Sequence, residues 1–123
     1  MNTLETLIQE IRNELGADFI STDIVGMDGL SIAGGSANPD FDAAKASARF
    51  AMVMNLAAKS SDKMNMGAVD HNLVTTDQAY VITRFLGDNS YYWGLAITRN
   101  AVLGLAYILM DDYAERIWEA IPR

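Results

Sequence analysis

His71 is the only histidine in the chain, and cysteine is absent. Multi-histidine and thiolate metal sites are thereby removed, and a histidine-based triad would hang on one residue in a strand. A lone strand histidine more often packs or lines a seam than acts by itself. Gly34-Gly35-Ser36 precedes a predicted helix, where a phosphate cradle would sit. No Lys-Ser or Lys-Thr follows at P-loop spacing, however, and Pro39 removes a backbone donor, so the stretch reads as a loop. Asp111 and Asp112 are adjacent and point apart on a helix, which suits solvation of its outer face. Tyr80, Tyr91, Tyr92 and Trp93 could line a small-ligand cavity, although alternate aromatics on neighbouring strands more commonly pack a core. No nucleophile–base pair or paired-carboxylate constellation is visible, so neither an enzyme nor a cofactor is expected.

The stretch with most to say is the helix predicted from Pro39 to about Lys63. At about 100° per residue, Ala43, Ala46, Phe50, Val53, Met54 and Ala57 share an arc wide enough to lie on a sheet. The next arc carries Ala44, Ala48, Ala51, Asn55 and Ala58, a ridge of small residues expected to admit a second helix, as at a dimer interface. The third carries Asp42, Lys45, Arg49, Met52, Leu56, Lys59 and Lys63. Here two sizeable apolar side chains stand among cations on the side expected to face water. The bland reading is a solvated face with two unremarkable exposed apolar residues. The sharper one is a partner-binding face formed by Lys45, Arg49, Met52, Leu56 and Lys59.

Those faces need a frame to hold them. The 123 residues suffice for one domain with one core, and 16 acidic against 9 basic residues give a net charge of −7. Such a balance repels phosphate backbones and anionic lipid, making nucleic acid an unexpected partner. The N-terminal residues have no uninterrupted apolar block, so no membrane insertion is expected and the cytoplasm is the default location.

Leu4, Leu7, Ile8, Ile11 and Leu15 follow the spacing of an amphipathic helix, with Asn2 and Glu5 as a capping pair and Gly16 just past its end. Strands are predicted at about Phe19–Gly26 and Leu30–Ala33, joined at Met27-Asp28-Gly29. Asn38 and Pro39 mark the start of the middle helix. Ala68 to Thr76 is β-rich but polar on one side, as suits an edge or a subunit seam, where Val69, His71 and Leu73 would line a dimer contact. Tyr80–Leu86 and Tyr91–Thr98 are apolar on both faces and read as central strands separated by a turn at Gly87-Asp88-Asn89-Ser90. From Asn100, a last helix is expected to bury Val102, Leu105, Ala106, Leu109, Tyr113 and Ile117, with Trp118 on a second side against the first helix. The order α-β-β-α-β-β-β-α implies an α/β (α+β) protein. Its mainly antiparallel five-stranded sheet would lie between one helix on one face and two on the other.

That element order, the hairpin Ile24-Val25-Gly26-Met27-Asp28-Gly29-Leu30-Ser31-Ile32-Ala33 and the Ala-rich middle helix resemble the Roadblock family. This is the dynein light-chain type of domain, profilin-like in its layers, also found in prokaryotic regulators of small GTPases. The resemblance spans nearly the whole chain. It implies a homodimer joined edge to edge through the first strand of the three-strand meander, and a Ras-like small GTPase as partner, whose hydrolysis some members stimulate by repositioning the GTPase's own loops. Arg49 and Arg84 would then not serve as arginine fingers. The competing reading is a small-molecule sensor of mixed α/β type, with the aromatic strands forming its pocket.

Overall fold

The computed structural model describes residues 3–123, the side chains of residues 43 and 44 excepted. Its elements are α1 (Thr3–Leu15), β1 (Phe19–Gly26), β2 (Ser31–Ser36), α2 (Ala43–Lys63), β3 (His71–Thr75), β4 (Ala79–Leu86), β5 (Tyr91–Thr98) and α3 (Leu103–Ala120). The sheet has the order β2-β1-β5-β4-β3, with every neighbouring pair antiparallel. The expected element order and sheet type are therefore present.

Alternation along the strands sorts the side chains into two layers. Ile24 opposes Trp93, and Ile82 opposes Leu95; these pack with Leu4, Leu7, Ile8 and Ile11 of α1 and with Ala106, Leu109, Met110, Tyr113 and Ile117 of α3. Val25 opposes Tyr92 on the other face, beneath Ala51 and Met54 of α2. Two helices thus cover one side and one covers the other. The buried Trp93 indole donates from Nε1 to Thr22 Oγ1 at 2.7 Å, and the Thr22 hydroxyl donates to the Gly94 carbonyl at 2.8 Å, so the larger core buries its polar atoms in pairs.

Several boundaries differ from expectation for local reasons. Gly34-Gly35-Ser36 is strand rather than loop. Gly34 lies opposite Asp23, and a Cβ there would stand 2.6 Å from Asp23 Oδ1, so glycine makes room for that carboxylate. Asn38 caps a turn, accepting from the Asp40 amide at 3.0 Å, while α2 starts later, with Asp42 as N-cap accepting from the Lys45 amide at 3.1 Å. β3 begins at His71, leaving Val69 outside the strand, and Val102 rather than Asn100 stands at the N-cap of α3. Val102 and Leu105 are exposed, so the buried stripe of α3 is shifted round to Ala106, Leu109, Met110, Tyr113 and Ile117. Asn2, the expected capping partner, lies outside the described residues. Asp112 is exposed as expected, whereas Asp111 pairs with Arg84 at 2.8 Å.

Trp118 packs on the β4–β5 turn. Its ring meets Tyr91 edge-on at 6.4 Å, carries the Arg123 guanidinium 3.9 Å from its centroid, and covers Gly87 so closely that a Cβ there would lie 2.1 Å from the indole. Gly87 also has φ +55°, a region that costs an L-residue about 1–2 kcal/mol. Gly87→Ala is expected to lower the unfolding free energy by at least about 2 kcal/mol, strain and overpacking acting together. Gly104→Ala, in a helical position with open space around it, should change stability by no more than about 1 kcal/mol and in the favourable direction. Urea unfolding of the two variants checks both.

Candidate interaction site around α2

One polar contact sets how α2 lies on the sheet. Asp23, on the α2 face of β1, accepts from the hydroxyls of Ser31 in β2 and Ser47 in α2. The buried Tyr92 hydroxyl donates to the Ser47 carbonyl at 2.5 Å. Ser47 is only 3% exposed. Partial burial raises the Asp23 pKa above its ordinary 3.8, and the two serine hydroxyls, together with a backbone bond, pull against that rise. Burial also pushes the Tyr92 phenol well up, with the nearby Asp23 charge adding to it, so this hydroxyl stays a donor at neutral pH.

With Ser47 held down, α2 is turned away from the orientation its apolar pattern suggests, toward the Ser47–Ala51 side. Ser47, Ala51 and Met54 are buried, and Val53, expected in the core, is 39% exposed. Ala51 therefore belongs to the protomer's own core with Val25 and Tyr92, not to a dimer ridge. Ala48 remains exposed but lies beside the β1–β2 hairpin, where a Cβ on Gly29 would come 3.5 Å from its Cα. Asn55 is exposed and Ala58 half-buried, whereas the side chain of Ala44 lies outside the described residues. The small-residue ridge thus faces the hairpin rather than the open part of the sheet. That open part is overlooked by the opposite flank of α2, with Ala46 and Phe50.

The cation-framed face is turned outward. Met52 is 71% and Leu56 67% exposed, with Lys45, Arg49 and Lys59 exposed around them. None of these three cations takes part in either ion pair found among the described residues, Arg84–Asp111 and Arg116–Glu10 at 3.4 Å. Arg84, held by Asp111 of α3, belongs to the other side of the sheet.

α2 lies mainly over β1 and β2, leaving the β4–β3 half of this face only partly covered, with Thr83 buried and Phe85 packed against the core beneath α2. Val81, Thr83 and Phe85 of β4 and Asn72 and Val74 of β3 point there, Val74 being 38% exposed. Between this half and α2 runs a partly open cavity of about 270 Å³, with Ala46 and Phe50 on its helix side and Val81, Thr83, Gly94 and Ala96 on its floor. Thr83 Oγ1 and Asn72 Oδ1, on directly paired residues, are buried without a hydrogen-bond partner. Each such atom costs about 1–3 kcal/mol unless something supplies a partner. Of the four aromatics considered for a ligand pocket, Tyr92 alone lines this cavity; Tyr80, Tyr91 and Trp93 face α1 and α3.

β3 is an edge strand. The bonds from Phe85 N to Asp70 O and from Thr76 N to Ala79 O fix the alternation, so Asn72 and Val74 bond toward β4 while the amides of His71, Leu73 and Thr75 point off the edge. The side chains of His71 and Leu73 lie on the α3 side of the sheet, His71 meeting Tyr107 edge-on at 5.1 Å. Among the described residues, no group of His, Cys, Asp and Glu could hold a metal ion, and no helix is long and apolar enough to cross a membrane.

Neither a family model nor a curated protein matches the sequence. Solved structures match the fold. Myxococcus xanthus MglB superposes with a TM-score of 0.87 over 97% of this chain and 94% of that one, at 8% identity. The gliding protein MglB of Thermus thermophilus gives 0.83 at 12% identity, over 96% and 87%. A Roadblock/LC7 domain from Streptomyces avermitilis gives 0.77 at 17% identity, over 95% and 93%. The fold is that of a Roadblock/LC7 domain. With identities this low, the likeness is one of backbone geometry over nearly the whole chain.

The raised pKa of Asp23 gives a signed expectation. Its protonated form is favoured by folding, so its contribution to stability is full below pH 3.8 and is lost as pH rises through the raised value. The stability of the wild type relative to Asp23→Asn should therefore decline as pH is raised through that window toward neutrality. Denaturant titrations at several pH values test it, and a difference that stays flat would show that Asp23 has no raised pKa.

Proposed function

We propose that the protein is a non-enzymatic homodimeric interaction module that binds a Ras-like small GTPase and regulates or scaffolds it. The observation that carries this reading is the outward pair Met52 and Leu56, each about two-thirds exposed and bordered by Lys45, Arg49 and Lys59 on an otherwise acidic protein. An apolar centre with a polar rim is the anatomy of a protein contact. The likeness to Roadblock/LC7 structures supports a small GTPase as the class of partner. The GTP-bound form should be preferred, because ordered switch loops offer a fixed surface to meet.

Dimerisation is supported by what a single copy leaves partly uncovered: the β4–β3 half-face, the α2 flank above it, and the unpaired β3 edge. β2 is a poorer seam, being bulged against β1 between Ile24 and Val25 and rich in glycine. The α2 residues assigned to the interface are accordingly Phe50, Val53 and Ala57, with β3 edge pairing through His71 and Leu73. Two copies so joined would set their Met52/Leu56 faces side by side for one GTPase.

A carboxylate at Val53 should separate the subunits, whereas Ala48→Glu, on the opposite flank, should leave them together. Light scattering at micromolar concentration distinguishes these outcomes, and dissociation by Ala48→Glu alone would restore the small-residue ridge as the interface. In the dimer the outward amides of His71, Leu73 and Thr75 should exchange slowly, and in Val53→Glu quickly.

The functional test is calorimetry with the GTPase captured from the native host in its GTP-analogue state. Met52→Ala with Leu56→Ala should cost about 2 kcal/mol or more of binding free energy while the dimer persists. Lys45→Ala should mainly slow association, and more so at low salt. Unchanged affinity in the double variant would place the partner face elsewhere.

The cavity beneath α2 favours a second reading, a sensor for a small apolar ligand with one polar group meeting Thr83. Native mass spectrometry of protein purified from its own host separates the two. A bare dimer mass supports the interaction module, and a small stoichiometric adduct lost in Ala96→Leu supports the sensor.

A further inference from the structure

On the side of the sheet away from α2, the first turns of α3 carry an apolar strip that the protomer does not cover. Val102 is 64%, Leu105 63% and Ile108 58% exposed, at i, i+3 and i+6, rising about 9 Å along the helix. They flank a groove of about 390 Å³ whose opposite wall includes Leu15, at the end of α1. Three carboxylates, Glu14, Asp18 and Asp112, border this groove, and no Lys or Arg lines it. Asp18 accepts from the Thr98 hydroxyl at 2.7 Å, and none of the three carboxylates takes part in the ion pairs found among the described residues. Three large side chains left in water on one helix flank, where the sequence pattern expects two of them in the core, mark an interaction surface more readily than scattered exposure does.

We propose that this groove docks a cationic amphipathic helix of a partner protein, its apolar stripe seated on Val102, Leu105 and Ile108 and its Lys or Arg residues reaching Glu14, Asp18 and Asp112. Charge selects this occupant. A second copy of the same face would set three carboxylates against three others, and an anionic lipid surface would meet the same repulsion. A helix suits the groove because anchors at i, i+3 or i+4 match the spacing along α3. The groove and the α2 face lie on opposite sides of the sheet, so a partner here can be held together with one on α2. The inference does not depend on the GTPase reading.

The test uses a fluorescently labelled peptide of roughly 18 residues, composed of Leu, Ala and Lys in an amphipathic pattern, with the unlabelled full-length protein. Its controls are a scrambled peptide of the same composition and a Glu-for-Lys version. The amphipathic cationic peptide should bind at least about tenfold tighter than either control, weaken with salt, and protect the amides of residues 102–109 from exchange. Leu105→Ser with Ile108→Ser should abolish binding, and Asp112→Lys should weaken it about tenfold; all three positions are exposed, so the fold should tolerate the changes. Equal binding of the scramble, protection confined to α2, or undiminished binding by the Leu105/Ile108 variant would overturn the proposal. So would a change in oligomeric state in that variant, which would make the strip a contact between copies, or binding of the unmodified protein to anionic phosphatidylserine vesicles.

Discussion

The Asp23 carboxylate gathers the hydroxyls of Ser31 and Ser47, and Tyr92 holds the Ser47 carbonyl, so one turn of α2 is tied to β1, β2 and β5 together. Gly34 makes this possible by leaving space opposite Asp23. A helix resting on apolar contacts alone can roll to bury its largest side chains. Here the polar tie opposes that roll, keeping a serine inside and Val53 partly outside. Met52 and Leu56 still face outward in this rotation. A half-buried carboxylate is a costly anchor unless its acceptors are used, and two hydroxyl donors lessen that cost without removing it.

The same geometry leaves the α2 layer one helix wide on a sheet five strands wide. α1 and α3 together cover the other side, and its polar groups, Thr22 and the Trp93 indole, find partners. On the α2 side, Thr83 and Asn72 keep unsatisfied atoms beside a cavity. An unpaired edge strand, a half-covered sheet face and two orphaned polar atoms lie next to one another, and closure by a second copy would address all three. A small ligand would address the cavity and the Thr83 hydroxyl that lines it, but not the edge.

Much of this was legible in the sequence. Apolar residues on both faces of Tyr80–Leu86 and Tyr91–Thr98 marked the central strands, and the α1 stripe marked its buried face, because burial on a regular element writes a regular pattern. The polar character of residues 68–76 pointed to an edge or a subunit seam, and β3 lies at the edge of the sheet. The rotation of α2 was not legible, since it depends on Asp23 and Ser47, 24 residues apart and tied by a hydrogen bond. Apolar periodicity weighs serine as a surface residue and so misplaces the buried side of the helix. Gly34 and Gly35 looked like a loop because their signal, room for a neighbour's side chain, is the same one a turn gives. An aspartate in the middle of an apolar strand opposite a glycine was the available clue. In α3, Val102 and Leu105 fit a core stripe by spacing, and only the three-dimensional course of α1 shows that they stay exposed.

The central claim is that α2, fixed in this rotation, overlooks a half-face that a second copy closes. Because the chain has no cysteine, a single Lys59→Cys substitution allows one nitroxide per subunit at a solvent-facing site on α2. Double electron–electron resonance then reads the separation of the two α2 helices directly. The account predicts dipolar modulation of the depth given by two coupled spins, with one narrow distance, lost when Val53→Glu is added. An echo decay without modulation at micromolar protein, or a modulation indifferent to Val53→Glu, would contradict it.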